Sequence, residues 1–353
     1  MHTPSNGREA EAEGSRQRGV TSRSPTTLRC ANGETDPSAR ARPRPEGRLV
    51  LQSLEAERAG SRPASRTRSS LYVAWALVLL LTVPEIVLRA FMRIDTSWML
   101  PARIGLLAGS FALTFVWSLV RPLRGLLVVF LVIYVVEAWL FLTTFPQSQV
   151  YRDVVGYDPS LAFFGERLMR IGAVVVMLAV LLLMGLRRRD LYLAVGDLKA
   201  TAEPTRLKIP PRPEPWTKFG RNYAIISVGL LLLFLIPALM PSVANFSIGL
   251  LLFAVICAAM NAFAEEFLYR SALIPHVLPL FGKGATLMLI PAWFGLAHYF
   301  GVPNGLTGVL LTGVGGWFFA KSMIETRGIA WAWFLHFLAD FTVYLVLLLA
   351  GDL

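Results

Sequence analysis

The chain has 353 residues, of which 55% are hydrophobic and only 16% charged. Soluble domains carry about 25% charged residues, so this composition excludes an ordinary water-soluble globular enzyme. The net charge of +11 is concentrated in two places: residues 1–70 hold 13 Arg against 8 acidic residues, and residues 187–221 hold 9 Lys or Arg against 4.

Residues 1–70 are rich in Ser, Arg, Pro, Gly and Glu. Such a segment buries too little apolar surface to offset chain ordering, which predicts a disordered basic tail. It lacks interleaved aromatic residues, so no nucleic-acid partner is expected. The first apolar run begins at Leu71 and reads as an uncleaved signal anchor. About nine membrane spans follow, near 71–91, 102–120, 124–145, 166–186, 222–240, 245–270, 284–300, 305–325 and 328–349, each close to the 20 residues a bilayer requires. The predicted fold class is therefore all-α, a polytopic transmembrane helical bundle in contact with the lipid bilayer. Its parts are the tail (1–70), N-terminal helices (71–186), a polar loop (187–221) and a C-terminal core (222–353). The run Ile209-Pro210-Pro211-Arg212-Pro213-Glu214-Pro215 makes the loop extended or irregular. Basic loops mark the cytoplasmic side. Counting back four spans from Arg187-Arg188-Arg189 puts the N-terminus in the cytoplasm as well. The two cysteines, Cys30 and Cys257, form no disulfide or metal-ligand pattern, and nothing in the sequence sets an oligomeric state.

Ionisable residues inside spans cost roughly 2.5–3.5 kcal/mol each on insertion scales and usually mark function. The sixth predicted span ends Ala264-Glu265-Glu266-Phe267-Leu268-Tyr269-Arg270. Neighbouring helical residues point about 100° apart, so the two carboxylates serve different purposes. Glu266 and Arg270, four residues apart, are expected to pair, which leaves Glu265 for other work. Read alone, the three charges could equally anchor the helix end at the membrane interface. Of the four histidines, His298 and His336 fall inside spans. His336 shares a helix face with Asp340. If the chain turns near Phe281-Gly282, then Glu265, 17 residues before Gly282, and His298, 16 after it, lie at equal depth in an antiparallel hairpin, although Pro275 and Pro279 can kink the first arm. A carboxylate and an imidazole can hold and deprotonate one water, and a second His can donate to the oxyanion formed on a carbonyl. Those parts suit peptide-bond hydrolysis. Elsewhere, Glu85 and Arg89 read as an interface pair, Glu137 as a residue of the interior, and Gly313, Gly315 and Gly316 as close-packing positions.

The motifs Glu265-Glu266-Phe-Leu-Tyr-Arg270, Phe294-Gly-Leu-Ala-His298 and His336-Phe-Leu-Ala-Asp340 resemble those of the CAAX-protease/bacteriocin-processing (CPBP) family, which includes the type II CAAX prenyl endopeptidases. The resemblance covers about residues 245–345. It implies an intramembrane endopeptidase acting on a membrane-associated peptide or protein, in which Glu265 and His298 activate water, and His336 and Asp340 stabilise the oxyanion or position that water. Glu266, Arg270 and Phe294 would support the site. The family has been described both as metalloproteases and as glutamate-dependent enzymes without metal. No cofactor is required on the second view. On the first, Glu265, His298, His336 and Asp340 could ligate Zn²⁺, although no His-Glu-x-x-His motif is present. The prenyl-processing branch carries Asn at the position of Asp340, and bacterial members carry Asp. That implies a bacterial plasma-membrane protein whose substrate is not a prenylated one. Two other readings of the same buried charges remain open: a non-catalytic membrane scaffold or bacteriocin-immunity protein, and a transporter or proton relay.

Overall fold

The computed structural model describes residues 65–156 and 158–351. The predicted tail up to residue 64 lies outside the described residues. The first helix, α1 (Ser65–Glu85), starts six residues before the predicted tail ends and runs on as π-helical turns over Ile86–Phe91. It is followed by α2 (Met99–Val116), α3 (Arg124–Val132, extended by π-helical turns over Ile133–Thr144), the short α4 (Gln149–Val155) and α5 (Pro159–Leu183). After the polar loop come α6 (Trp216–Ser242), α7 (Ile248–Glu266, extended by a π-helical turn over Phe267–Ser271), α8 (Ile274–Ala297), α9 (Gly305–Thr326) and α10 (Ala330–Ala350). Strands β1 (Thr201–Ala202) and β2 (Glu214–Pro215), a short antiparallel pair, close the loop. The all-α class holds.

Among the described residues, seven helices rather than nine are long and apolar enough to cross a membrane: those at Thr67–Phe91, Met99–Val116, Arg121–Gln147, Trp216–Pro237, Ile248–Ser271, Ile274–Ala297 and Ala330–Ala350. The predicted spans at 166–186 and 305–325 do form long helices, α5 and α9. However, α5 carries Glu166, Arg167 and Arg170, and α9 carries Lys321, Glu325 and several glycines. These residues lower the hydropathy of both.

Large apolar side chains lie on the outside as well as in the core, and several charged ones are buried. Leu79, Leu80, Ile225, Ile226, Leu233 and Phe234 are exposed, whereas Glu137, Asn261, Glu265, Glu266, Arg270 and His336 are buried. Such a surface suits lipid, and a buried polar interior marks function at membrane depth. Helix α10 packs against α6, α7 and α9, and α8 against α9 and α1, while α5 joins α3 to α7. The polar residues are thereby collected between the last five helices, α5 and the end of α3, which carries Glu137.

Two glycine features shape this centre. Gly282 has φ +77° and ψ 171°, a non-helical conformation that splits α8 into 274–281 and 283–297; only glycine adopts it without strain. An unbroken helix would separate Glu265 from His298 by roughly 50 Å, and the break at Gly282 allows the chain to fold back. Gly295 of α8 packs on α9 so closely that a Cβ would lie 2.7 Å from the Val309 carbonyl oxygen and 3.0 Å from the Cα of Gly313. A Cβ at Gly316 would lie 2.9 Å from an Arg270 guanidinium nitrogen. Of the three predicted packing glycines, Gly316 touches the site.

The polar loop is fastened to the ends of α9 and α10. Asp197 N–H donates to the Thr326 carbonyl at 2.8 Å, and Ile329 N–H donates to that of Ala194 at 2.9 Å. Glu325 accepts from Trp216 Nε1 at 2.8 Å and from Lys283 at 2.6 Å, and it also pairs with the buried Lys321.

Gly295→Ala is expected to cost about 1–3 kcal/mol of stability through overpacking, read as a lower thermal unfolding midpoint of the detergent-purified protein. An unchanged midpoint would contradict the Gly295–Val309 contact.

Candidate active site

The site is assembled from Glu266 outward. Its carboxylate is fully buried, and its Oε1 accepts from Arg270 Nη1 at 2.7 Å and from His336 Nδ1 at 2.7 Å. The π-helical turn after Glu266 keeps the i, i+4 pair intact, and such turns recur at functional sites. Arg270 lies over the Phe294 ring, 3.8 Å from its centroid, and 5.3 Å from that of Phe319. Phe319 in turn stacks on His336 at 5.1 Å and 15°. The pairing predicted for Glu266 and Arg270 is present, and Phe294 packs where a supporting residue is expected.

With Glu266 turned into this cluster, Glu265 faces the other way. Its Oε2 lies 4.0 Å from His298 Nε2 and 3.7 Å from His336 Nε2. Its Oε1 accepts from Asn261 Nδ2 at 3.2 Å and lies 3.7 Å from Arg170 Nη1. His298 Nδ1 is 2.7 Å from the Phe294 carbonyl oxygen. Because a carbonyl only accepts, Nδ1 carries the proton and Nε2 presents its lone pair toward Glu265. Asp340 Oδ1 lies 3.5 Å from His336 Nε2, and Oδ2 accepts from Asn261 at 2.9 Å. All four residues singled out in the sequence therefore converge, from α7, the end of α8, and α10. His298 is the most accessible, with 27% of its side chain exposed, against 16% for Asp340 and 8% for Glu265 and His336.

The gaps of 3.7 and 4.0 Å exceed a direct hydrogen bond and match the spacing that one bridging water spans. Among the described residues, no three His, Cys, Asp or Glu side chains gather as a ligand set for a metal ion. A cavity of about 430 Å³ opens beside Glu265 and His298, walled by Leu81, Ile133 and Leu296 and bounded further off by Glu85 and Arg103. The expected Glu85–Arg89 ion pair is present at 4.0 Å, and Glu85 also accepts from Arg103 of α2 at 2.7 Å, the closer contact.

Two residues near the site went unpredicted. Asn261 bridges Glu265 and Asp340; its only sequence signal is that it lies one helical turn before Glu265. Arg170 arrives from α5, and the charged trio Glu166, Arg167 and Arg170 within an apolar helix was the available sign. Glu137, expected in the interior, is 2% exposed and accepts from Arg170 Nη1 at 2.9 Å and from Tyr269 OH.

Residues 247–342 match the family model described as type II CAAX prenyl endopeptidase Rce1-like. The C-terminal helices of this integral membrane chain are thus similar over that segment to the CAAX-protease family, and all three motifs fall inside the matched segment. Comparison with curated proteins and with solved structures finds no match.

Removing one partner of a buried ion pair leaves an uncompensated charge. Glu266→Ala is therefore expected to destabilise by about 3–5 kcal/mol, seen as loss of folded, monodisperse protein in detergent. Wild-type stability of that variant would contradict the role given to Glu266.

Proposed function

We propose that the chain is an intramembrane endopeptidase that hydrolyses a peptide bond in a membrane-associated peptide or protein. The observation that carries this reading is the placement of Glu265 Oε2 against the Nε2 atoms of His298 and His336, at a distance suited to one water and beside an apolar cavity. In the proposed reaction, that water attacks the scissile carbonyl carbon and passes a proton to Glu265, with His298 Nε2 accepting the water's second hydrogen bond. In this reading His336 is an imidazolium, with Nδ1–H given to Glu266 and Nε2–H, which Asp340 helps to aim, given to the resulting oxyanion. When the C–N bond breaks, the proton held on Glu265 goes to the leaving amine, which restores the carboxylate. An ionised Asp340 donates no hydrogen bond, so its proposed role is to orient His336 and Asn261. The apolar wall of the cavity fits a hydrophobic substrate segment.

The metal-dependent alternative assigns Glu265, His298, His336 and Asp340 to Zn²⁺. Chelator treatment and metal analysis of the purified protein separate the two: the water mechanism predicts undiminished cleavage in metal-free protein. We also propose that α5 and α9 cross the membrane, since Arg167 and Arg170 of α5 point inward to Tyr344 and to Glu137. That count keeps the N-terminus and the basic loop 187–221 on the cytoplasmic face of a bacterial plasma membrane. Reporter fusions in the loop and after α10 are expected to report cytoplasm and exterior respectively.

Glu265→Ala and His298→Ala are each expected to abolish cleavage in proteoliposomes without changing expression. Unchanged cleavage in both would contradict the proposal, and solute or proton flux without proteolysis would favour a transporter.

A further inference from the structure

We infer that Arg170, on a helix outside the matched family segment, is a positioning residue for Glu265, and that Glu137 and Tyr269 hold it in place. The inference rests on the proteolytic reading and adds to it a part supplied by the N-terminal helices.

The two oxygens of Glu265 have different surroundings. Oε2 faces both histidines, whereas Oε1 is met by Asn261 at 3.2 Å and by Arg170 Nη1 at 3.7 Å. A carboxylate torsion is broad, so one oxygen stays on the water only if the torsion is held, and contacts to the other oxygen hold it. Arg170 is itself held from three sides. Nη1 donates to Glu137 Oε1 at 2.9 Å and to Tyr269 OH at 3.2 Å, and Nε and Nη2 donate to Glu166 Oε1 at 3.3 and 3.2 Å. A planar guanidinium gripped in this way is a rigid source of positive charge. Tyr269 OH also donates to Glu137, so α3, α5 and α7 meet at one point. The plainer alternative is that Arg170 serves only to neutralise the buried Glu137. Against that, the same Nη1 faces both carboxylates, and Arg170 lines the cavity into which Glu265 opens.

The test uses the full chain in proteoliposomes with a fluorogenic transmembrane peptide, together with thermal unfolding in detergent. Arg170→Gln is expected to lower kcat by on the order of 10- to 100-fold, as loss of a positioned group does, with KM within about twofold of wild type. Arg170→Lys is expected to recover part of the loss, because the charge remains and the fork does not. Glu137→Gln is expected to lower kcat less, and the Arg170→Gln/Glu137→Gln pair no further than Arg170→Gln alone, because Glu137 acts through Arg170. Independently of activity, the unfolding midpoints of Arg170→Gln, Glu265→Gln and the double variant are expected to be non-additive. Cleavage by Arg170→Gln at the wild-type rate, or additive midpoints, would overturn the inference. A wild-type chain that cleaves no peptide but shows non-additive midpoints would instead sink the proteolytic reading and keep the contact.

Discussion

A single fully buried carboxylate organises this molecule. An isolated ionised carboxylate in an apolar interior is very costly unless it is paired and hydrogen-bonded. Glu266 meets that demand through Oε1, which accepts from Arg270 of its own helix and His336 of α10, both at 2.7 Å. Once Glu266 is committed, the rotation of α7 is fixed. Its neighbour Glu265, about 100° around the helix, then has to face the cavity. The Phe294 and Phe319 rings close over Arg270, which draws α8 and α9 to the same point. Four helices are thus oriented by one requirement, and the spacing between Glu265, His298 and His336 follows from it.

The N-terminal helices do more than border the core. Helix α1 packs on α8 and helps form the cavity, while α3 and α5 deliver Glu137 and Arg170 to the far side of Glu265. Arg167 ties α5 to α10 through Tyr344, at 3.0 Å. Arg167 and Arg170 of α5 are paired inward, while Glu166, which pairs with both, is 41% exposed. Such pairing lowers the cost of placing charge in an apolar bundle.

Much of this was legible in the sequence, and the parts that were not have physical reasons. The adjacent carboxylates could be assigned separate duties because helix geometry separates neighbours. The depth match between Glu265 and His298 could be counted from Gly282, and a positive φ at that glycine is what makes the turn. The span count was less readable. Hydropathy alone does not tell whether the charges of α5 and the glycines and charges of α9 are satisfied inside the bundle, so seven spans stand out by length and composition and two more rest on how their polar groups are paired. Asn261 and Arg170 were missed for a related reason. Each gains its meaning from a partner 79 to 99 residues away, and no local spacing reports such a pairing.

An experimental structure of the membrane-embedded protein, at a resolution that shows ordered water, tests the central claim most directly. A water is expected within about 3 Å of both Glu265 Oε2 and His298 Nε2, with Glu266 bonded to Arg270 and His336 behind it. Glu265 turned toward lipid, or separated from both histidines by the width of a helix, would contradict it.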